Sequence, residues 1–333
     1  MILNTAYSLA NSENGDELEV RVNLLDEKIG TMVAIKNVLF ATDFSDVSEA
    51  ALPYVRAISL RYGSTIHVVH VLPDVALLRP GAPDPVMFGS IYEEAHSVAQ
   101  EKIQQLSKRL KGFPHKTYVR HGEVLDVVKQ ILGEQEIDLL VLGTHGRTGL
   151  GKLLMGSVAE QIFRQANCPV LTVGPGVPVT EKVRESRHDH DLPPVQVKFG
   201  NILYATDFKP DAVEGSSYAV SLAREFNAHL TLLHVIENFG EHLHERPGPI
   251  ETALVKLEEL VPDREGLRYE PEFLAEYGSP AELILKIANE YEVDLIILGV
   301  RPTSSGSAAT HFGRSVAHKV VAGANCPVLT IRR

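Results

Sequence analysis

The sequence predicts an α/β protein of two tandem domains, each a five-stranded parallel sheet with helices on both faces. Three observations carry this. The chain is self-similar: NVLFATDF at 37–44 returns as NILYATDF at 201–208, and NCPVLT at 167–172 returns at 325–330. Its apolar runs are short, rich in Val, Leu and Ile and free of polar alternation, as strands covered on both faces require. Longer helical stretches lie between those runs, so strand and helix alternate along the chain.

In the first copy NVLFAT (37–42) is the opening strand. SDVSEAALPYVRAISLRYG (45–63) follows as a helix, opened by a Ser and Asp cap and closed by Gly63. TIHVVHV (65–71), rich in β-branched residues, is the second strand. The stretch 73–90 is crowded with Pro and Gly and reads as a loop. A helix over about 90–111, a strand near 115–120, a helix near 123–134 and the strand DLLVLG (138–143) come next. A glycine-rich loop then leads to a helix from about 157 and the strand PVLTVG (169–174). The second copy keeps these landmarks. His70 and Val71 recur as His234 and Val235 at a spacing of 164, and Gly122, Asp138 and Gly143 recur as Gly278, Asp294 and Gly299 at 156. The last block recurs at 158, and ordered blocks separated by small insertions and deletions are what a duplication leaves.

The copies span 33–175 and 198–333. Residues 1–32 are polar and have no counterpart before the second copy, so a loosely ordered tail is expected, with Met32 as an alternative start of translation. Residues 176–197 combine Pro, Gly and charge and read as a linker. The chain has 333 residues, 44% apolar and 23% charged, a composition that supports a sizeable core and excludes a mostly disordered or fibrous chain. Its 32 Lys and Arg against 43 Asp and Glu leave a formal charge of −11, which argues against nucleic acid and anionic membrane surfaces as partners. A small anion can still bind where backbone N–H groups converge. The two cysteines, Cys168 and Cys326, have neither metal-site nor disulfide spacing. No signal-like segment opens the chain, and no run approaches the roughly 20 apolar residues of a membrane span, so a cytoplasmic location is expected.

The sharpest chemical feature is the stretch from Gly143 to Ser157, set between a strand and a helix. Glycines let the backbone approach a ligand closely, and the free N–H groups of the following helix attract an anion. Such a stretch is either a phosphate cradle or a glycine-rich turn without a ligand. Gly146-x4-Gly151-Lys152 mimics a Walker A loop, but Leu153 stands where a hydroxyl must hold Mg2+. The dinucleotide fingerprint fails because Leu154 replaces its third glycine. What remains is G-x2-G-x9-G-S, met by Gly143, Gly146, Gly156 and Ser157.

Taken with TDFS after the first strand, HV ending the second and NCPVL at the last, this loop resembles the universal stress protein family in tandem form. The resemblance implies a Rossmann-like sheet of order 3-2-1-4-5, of the adenine nucleotide alpha hydrolase-like kind, and ATP binding where the loop is complete. Ligands in such sheets sit where the winding reverses, here between strands 1 and 4, which end at Asp43 and Gly143. By the resemblance Ala41, Thr42 and Asp43 line the nucleoside end, Val71 meets the adenine edge and Leu142 packs the ribose or base. Gly143, His145, Gly146 and Arg147 wrap the phosphates, and Gly156, Ser157 and Val158 meet them at the helix start. From the residues alone, Asp43 also suits a helix N-cap and Val71 also suits core packing.

The second copy keeps Asp207, Val235 and Gly299, but Pro302 removes an N–H donor and Arg314 stands opposite Gly156, with Ser315 opposite Ser157. A weak, altered or empty second site is expected. His188, His190, His242 and His244 lack companion ligands and read as solvated loops, so no metal site is expected. The resemblance further implies that the last strands join the two copies edge to edge, and that chains associate into a homo-oligomer. No nucleophile with a base partner is apparent, so the leading expectation is a stress-response protein that binds ATP, as the free or Mg2+-bound nucleotide, as a signal to a regulatory protein partner. The rivals are a slow ATPase, an autophosphorylating protein with Ser157 as acceptor or an adenylyl-transferring relative of the same broad fold, and a nucleotide-free scaffold.

Overall fold

The computed structural model describes residues 33–73, 85–144, 156–177, 197, 199–209, 212–237, 248–300 and 315–332, with side chains from 92 onward in the helix that begins at 85. The tail, Met32, residues 178–196 and the four loop histidines lie outside the described residues.

The first repeat runs β1 (Asn37–Ala41), α1 (Asp46–Tyr62), β2 (Thr65–Leu72), α2 (Pro85–Arg109), β3 (His115–His121), α3 (Val124–Glu134), β4 (Leu139–Gly143), α4 (Ser157–Gln165) and β5 (Val170–Val173). The second runs β6 (Asn201–Ala205), α5 (Ala212–Phe226), β7 (His229–Ile236), α6 (Pro249–Glu259), β8 (Glu272–Tyr277), α7 (Pro280–Glu290), β9 (Leu295–Gly299), α8 (Val316–Gly323) and β10 (Val328–Ile331). One expectation is corrected. Helix α2 starts at Pro85, inside the stretch read as a loop to residue 90. A proline suits a first helical turn, where its missing N–H would have no partner in any case.

All ten strands form one sheet in the order β3-β2-β1-β4-β5-β10-β9-β6-β7-β8. Each repeat is therefore parallel with the order 3-2-1-4-5. The seam is antiparallel, β5 against β10, with Leu171 opposite Leu329. Across it the Thr172 hydroxyl donates to the Val328 carbonyl at 3.0 Å and the Thr330 hydroxyl to Val170 at 3.2 Å. The Arg332 guanidinium reaches over the seam to donate to the carbonyls of Phe163, at 2.5 Å, and Arg164 at the end of α4.

The recurrence of Asp138 and Asp294 has a physical reason. The Asp138 carboxylate accepts from the N–H groups of Lys36 and Asn37 at 2.7 and 2.9 Å, and Asp294 accepts from Gly200 and Asn201 at 2.8 and 3.0 Å. Each aspartate thus fixes the start of its repeat's central strand. The core forms two layers. Helices α1, α2, α5 and α6 cover one face of the sheet over Phe40, Val68, Tyr204 and Leu232. Helices α3, α4, α7 and α8 cover the other over Leu39, Leu140, Leu203 and Ile296. Both layers continue across the seam. Val177, at the start of the segment read as a linker, is buried in the first layer.

Candidate functional site

Strands β1 and β4 are neighbours, with Ala41 opposite Leu142, and the chain leaves their carboxyl ends toward opposite faces of the sheet. A cleft opens there. A cavity of about 220 Å³ is lined by Ala41, Thr42, Asp43, Val71, Leu142, Gly143, Gly156, Ser157 and Val158, so nine of the twelve residues expected in the first site converge. His145, Gly146 and Arg147 lie outside the described residues. Ser48, Val69, His70, Val124, Ala159 and Ile162 complete the lining; of these the sequence marks only His70, by its recurrence as His234, and not as a site residue.

The floor of the cavity is the turn after β1. Phe44 adopts φ 59°, a left-handed conformation that a bulky side chain takes only when its surroundings enforce it. Three contacts enforce it. The Phe44 N–H donates to the Thr42 hydroxyl at 3.0 Å, the ring lies 4.5 Å from the His70 ring, and the Lys102 ammonium lies 5.6 Å from the ring centre. His70 is itself buried and donates through Nδ1–H to the Thr42 carbonyl at 2.8 Å. The second repeat does the same: Phe208 has φ 58°, its N–H donates to Thr206 at 3.1 Å, and His234 donates to the Thr206 carbonyl at 2.8 Å. The recurring TDF and HV motifs therefore build a turn.

That turn presents Asp43. Its carboxylate accepts from the Ser45 N–H at 3.0 Å. The cap of α1 is Ser45 itself, whose hydroxyl oxygen accepts from the Ser48 N–H, so Asp43 is not the N-cap. Burial works to raise the Asp43 pKa, but hydrogen bonds from the Ser45 hydroxyl and N–H and from Ser48 outweigh it and hold the carboxyl below its usual range. At neutral pH it is an acceptor, suited to hydroxyl or amine donors. Gly143 is dictated by α1: a Cβ there would lie 2.9 Å from the Ser48 nitrogen.

The far wall is the start of α4. The Gly156 N–H donates to the Thr144 carbonyl at 2.7 Å, and Thr144 N–H to Val173 at 3.0 Å, which closes the neck of the intervening loop. Gly156 is the N-cap residue of α4 and makes no side-chain cap bond, so among the described residues no side chain caps the first-turn N–H groups. The equivalent helix differs. Ser315 caps α8, its hydroxyl oxygen accepting from the His318 N–H at 3.2 Å.

The second repeat also has a cavity, of about 370 Å³, lined among others by Asp207, Val235, Gly299 and Ser315; Arg314 and Pro302 lie outside the described residues. Lys209 occupies the position of Ser45, and its ammonium lies 2.6 Å from the Asp207 carboxylate. In the second cleft a cation thus stands on the equivalent carboxylate. Among the described residues no group of three or more His, Cys, Asp or Glu could hold a metal ion. Burial pushes the Cys168 and Cys326 thiols up to about 12, so neither is a nucleophile near neutral pH. No helix among the described residues is long and apolar enough to cross a membrane.

Comparison with known proteins agrees with this architecture. The model of the universal stress protein family matches residues 34–174 and again 198–332. Universal stress protein MJ0531 of Methanocaldococcus jannaschii is 31% identical over 141 residues, covering 41% of this chain and 81% of the relative. Universal stress protein MJ0577 of the same organism is 27% identical over 157 residues, covering 42% and 96%. A solved universal stress protein from Archaeoglobus fulgidus has the same fold over 89% of this chain and 98% of that one, with a TM-score of 0.63 at 22% identity.

Proposed function

The chain belongs to the universal stress protein family in tandem form, and from that membership we propose that its first repeat binds ATP and uses occupancy as a regulatory signal. The observation that carries this is the cleft between β1 and β4, where an anionic acceptor, an apolar slot and a helix start without a side-chain cap face one cavity. Asp43 accepts from a ribose hydroxyl or the adenine amine. Val71 and Leu142 offer an apolar face to the base. The first-turn N–H groups of α4 and the dipole behind them receive phosphate. The donor set fits ATP, and a bound Mg2+ supplies charge neutralisation between the phosphates. The second repeat, with its own serine cap on α8 and Lys209 on Asp207, is the poorer triphosphate site.

Melting the full chain with millimolar Mg-ATP tests this reading. If the nucleotide stands at about 1,000 times its dissociation constant, it stabilises the folded state by about 4 kcal/mol, a shift of several degrees. Gly146→Asp, which puts a negative charge into the loop that the sequence assigns to the phosphates, abolishes the shift. A folded wild-type chain that melts identically with and without ATP refutes the proposal. Phosphate release over an hour, measured on the same samples, separates binding from slow hydrolysis.

A further inference from the structure

The seam consumes β5 and β10, so the sheet ends in β3 on one side and β8 on the other. Among the described residues no strand covers either outer edge. These edges occupy equivalent places in the two repeats: β3 pairs with β2 with His67 opposite Lys116, and β8 pairs with β7 with Thr231 opposite Glu272. Position by position, Lys116 corresponds to Glu272, Tyr118 to Leu274 and Arg120 to Glu276. The four charged residues are exposed, while Tyr118 and Leu274 lie against the same core layer. The duplication has thus kept the shape of the edge and inverted its charge.

We propose that the outer edge of β3 docks on the outer edge of β8 of a second copy of this chain. The two strands pair antiparallel, with Lys116 opposite Glu276, Tyr118 opposite Leu274 and Arg120 opposite Glu272. Three properties of the fold select this arrangement. The repeats run in opposite directions along the sheet, so a second copy that continues the sheet in the same order, its core layers on the same faces, adds its β8 antiparallel to β3. The Gly122 and Gly278 N–H groups turn inward onto Leu72 and Ile236, at 3.1 Å each. Counting back along the parallel ladders, Thr117 and Val119 on β3, and Phe273 and Ala275 on β8, turn their backbone groups outward. In the proposed register Thr117 faces Ala275 and Val119 faces Phe273 as hydrogen-bonded pairs, and the charged residues fall in the non-hydrogen-bonded pairs, where side chains approach most closely.

Charge also excludes the alternatives. Pairing β3 with β3, or β8 with β8, sets like charges across the interface. Charged residues on an exposed edge ordinarily keep sheets apart, but opposite signs on the two ends of one molecule attract. Three of the four charged groups already have local partners that hold them near the edge: Lys116 Nζ donates to the Gln135 amide oxygen at 3.2 Å, Arg120 lies over the Tyr118 ring, and Glu272 accepts from the Tyr291 hydroxyl at 3.3 Å. Because the contact is heterologous, each added copy exposes the same two edges again.

Sedimentation of the full chain tests the inference. At about 0.15 M salt, where charges act over roughly 8 Å and the net charge of −11 on each copy is largely screened, the average mass rises with protein concentration, and at about 1 M, where they act over roughly 3 Å, that rise disappears. K116E/R120E and E272K/E276K each lose the salt-sensitive association, as does the neutral pair K116Q/R120Q should a reversed chain fold poorly. An equimolar mixture of the two reversed chains recovers it, since one then carries two acidic edges and the other two basic ones. A wild-type mass independent of salt, a variant that associates as the wild type does, or a mixture that stays apart overturns the proposal.

Discussion

Tyr204 and Gly215 in the second repeat replace Phe40 and Ala51 of the first, and one exchange explains the other. The Tyr204 hydroxyl donates to the Ala212 carbonyl at 2.8 Å and fills the space beside α5, where a Cβ on Gly215 would lie 2.6 Å from it. A glycine inside a helix ordinarily costs about 1 kcal/mol relative to alanine. Here Gly215→Ala is expected to lower stability by about 1–3 kcal/mol through overpacking. Adding Tyr204→Phe, which restores the pair found in the first repeat, recovers that loss. Urea denaturation of the two variants decides it, and a Gly215→Ala chain as stable as the wild type sinks the explanation. At this scale the sequence reveals positions better than reasons. Asp138 and Asp294 stand out by recurrence, but their task, holding strand starts about a hundred residues away, exists only in the folded chain. The lining residues Asp43, Val71 and Gly143 are legible because they end strands. Val124, Ala159 and Ile162 are not, since nothing local distinguishes a helical apolar residue facing a cleft from one facing the core.

Helix ends carry most of the asymmetry between the repeats. Gly156 opens α4 without a side-chain cap, while Ser315 caps α8, although the sequences align Ser157 with Ser315. A one-residue shift in where the helix begins turns a cap into a first-turn residue, and alignment alone does not reveal such a shift. The early start of α2 is not legible in the sequence because Pro and Gly crowd the segment before it, and proline marks either a loop or a first turn. The other end of α4 is held by Arg332, a cation placed at the negative pole of the helix. Arg332→Ala is expected to cost about 1.5–3 kcal/mol, the range for hydrogen bonds to a charged group. The loss is read as faster amide exchange in α4 and β5. Unchanged exchange there means that the clamp contributes nothing. The first repeat has Gly174 at the equivalent place, so the clamp works in one direction only.

The whole molecule is one sheet with two core layers that cross the seam, which gives it a thermodynamic unity that duplication alone does not require. Calorimetry of the full chain is expected to show a single unfolding transition, which the ATP binding proposed for the first repeat raises as a whole; two resolved transitions refute that coupling. The repeat itself, the alternation of strand and helix and the crevice between strands 1 and 4 were legible because each is written in local pattern or in spacing. The continuity of the core was not, because it depends on Leu171 meeting Leu329 across 158 residues of chain. The antiparallel seam has a last consequence. With the two halves pointing in opposite directions, their clefts open on opposite rims, so a protein that caps one mouth leaves the other in contact with solvent. One chain therefore offers its two clefts from different sides, and a change at one is felt at the other only through the sheet between them.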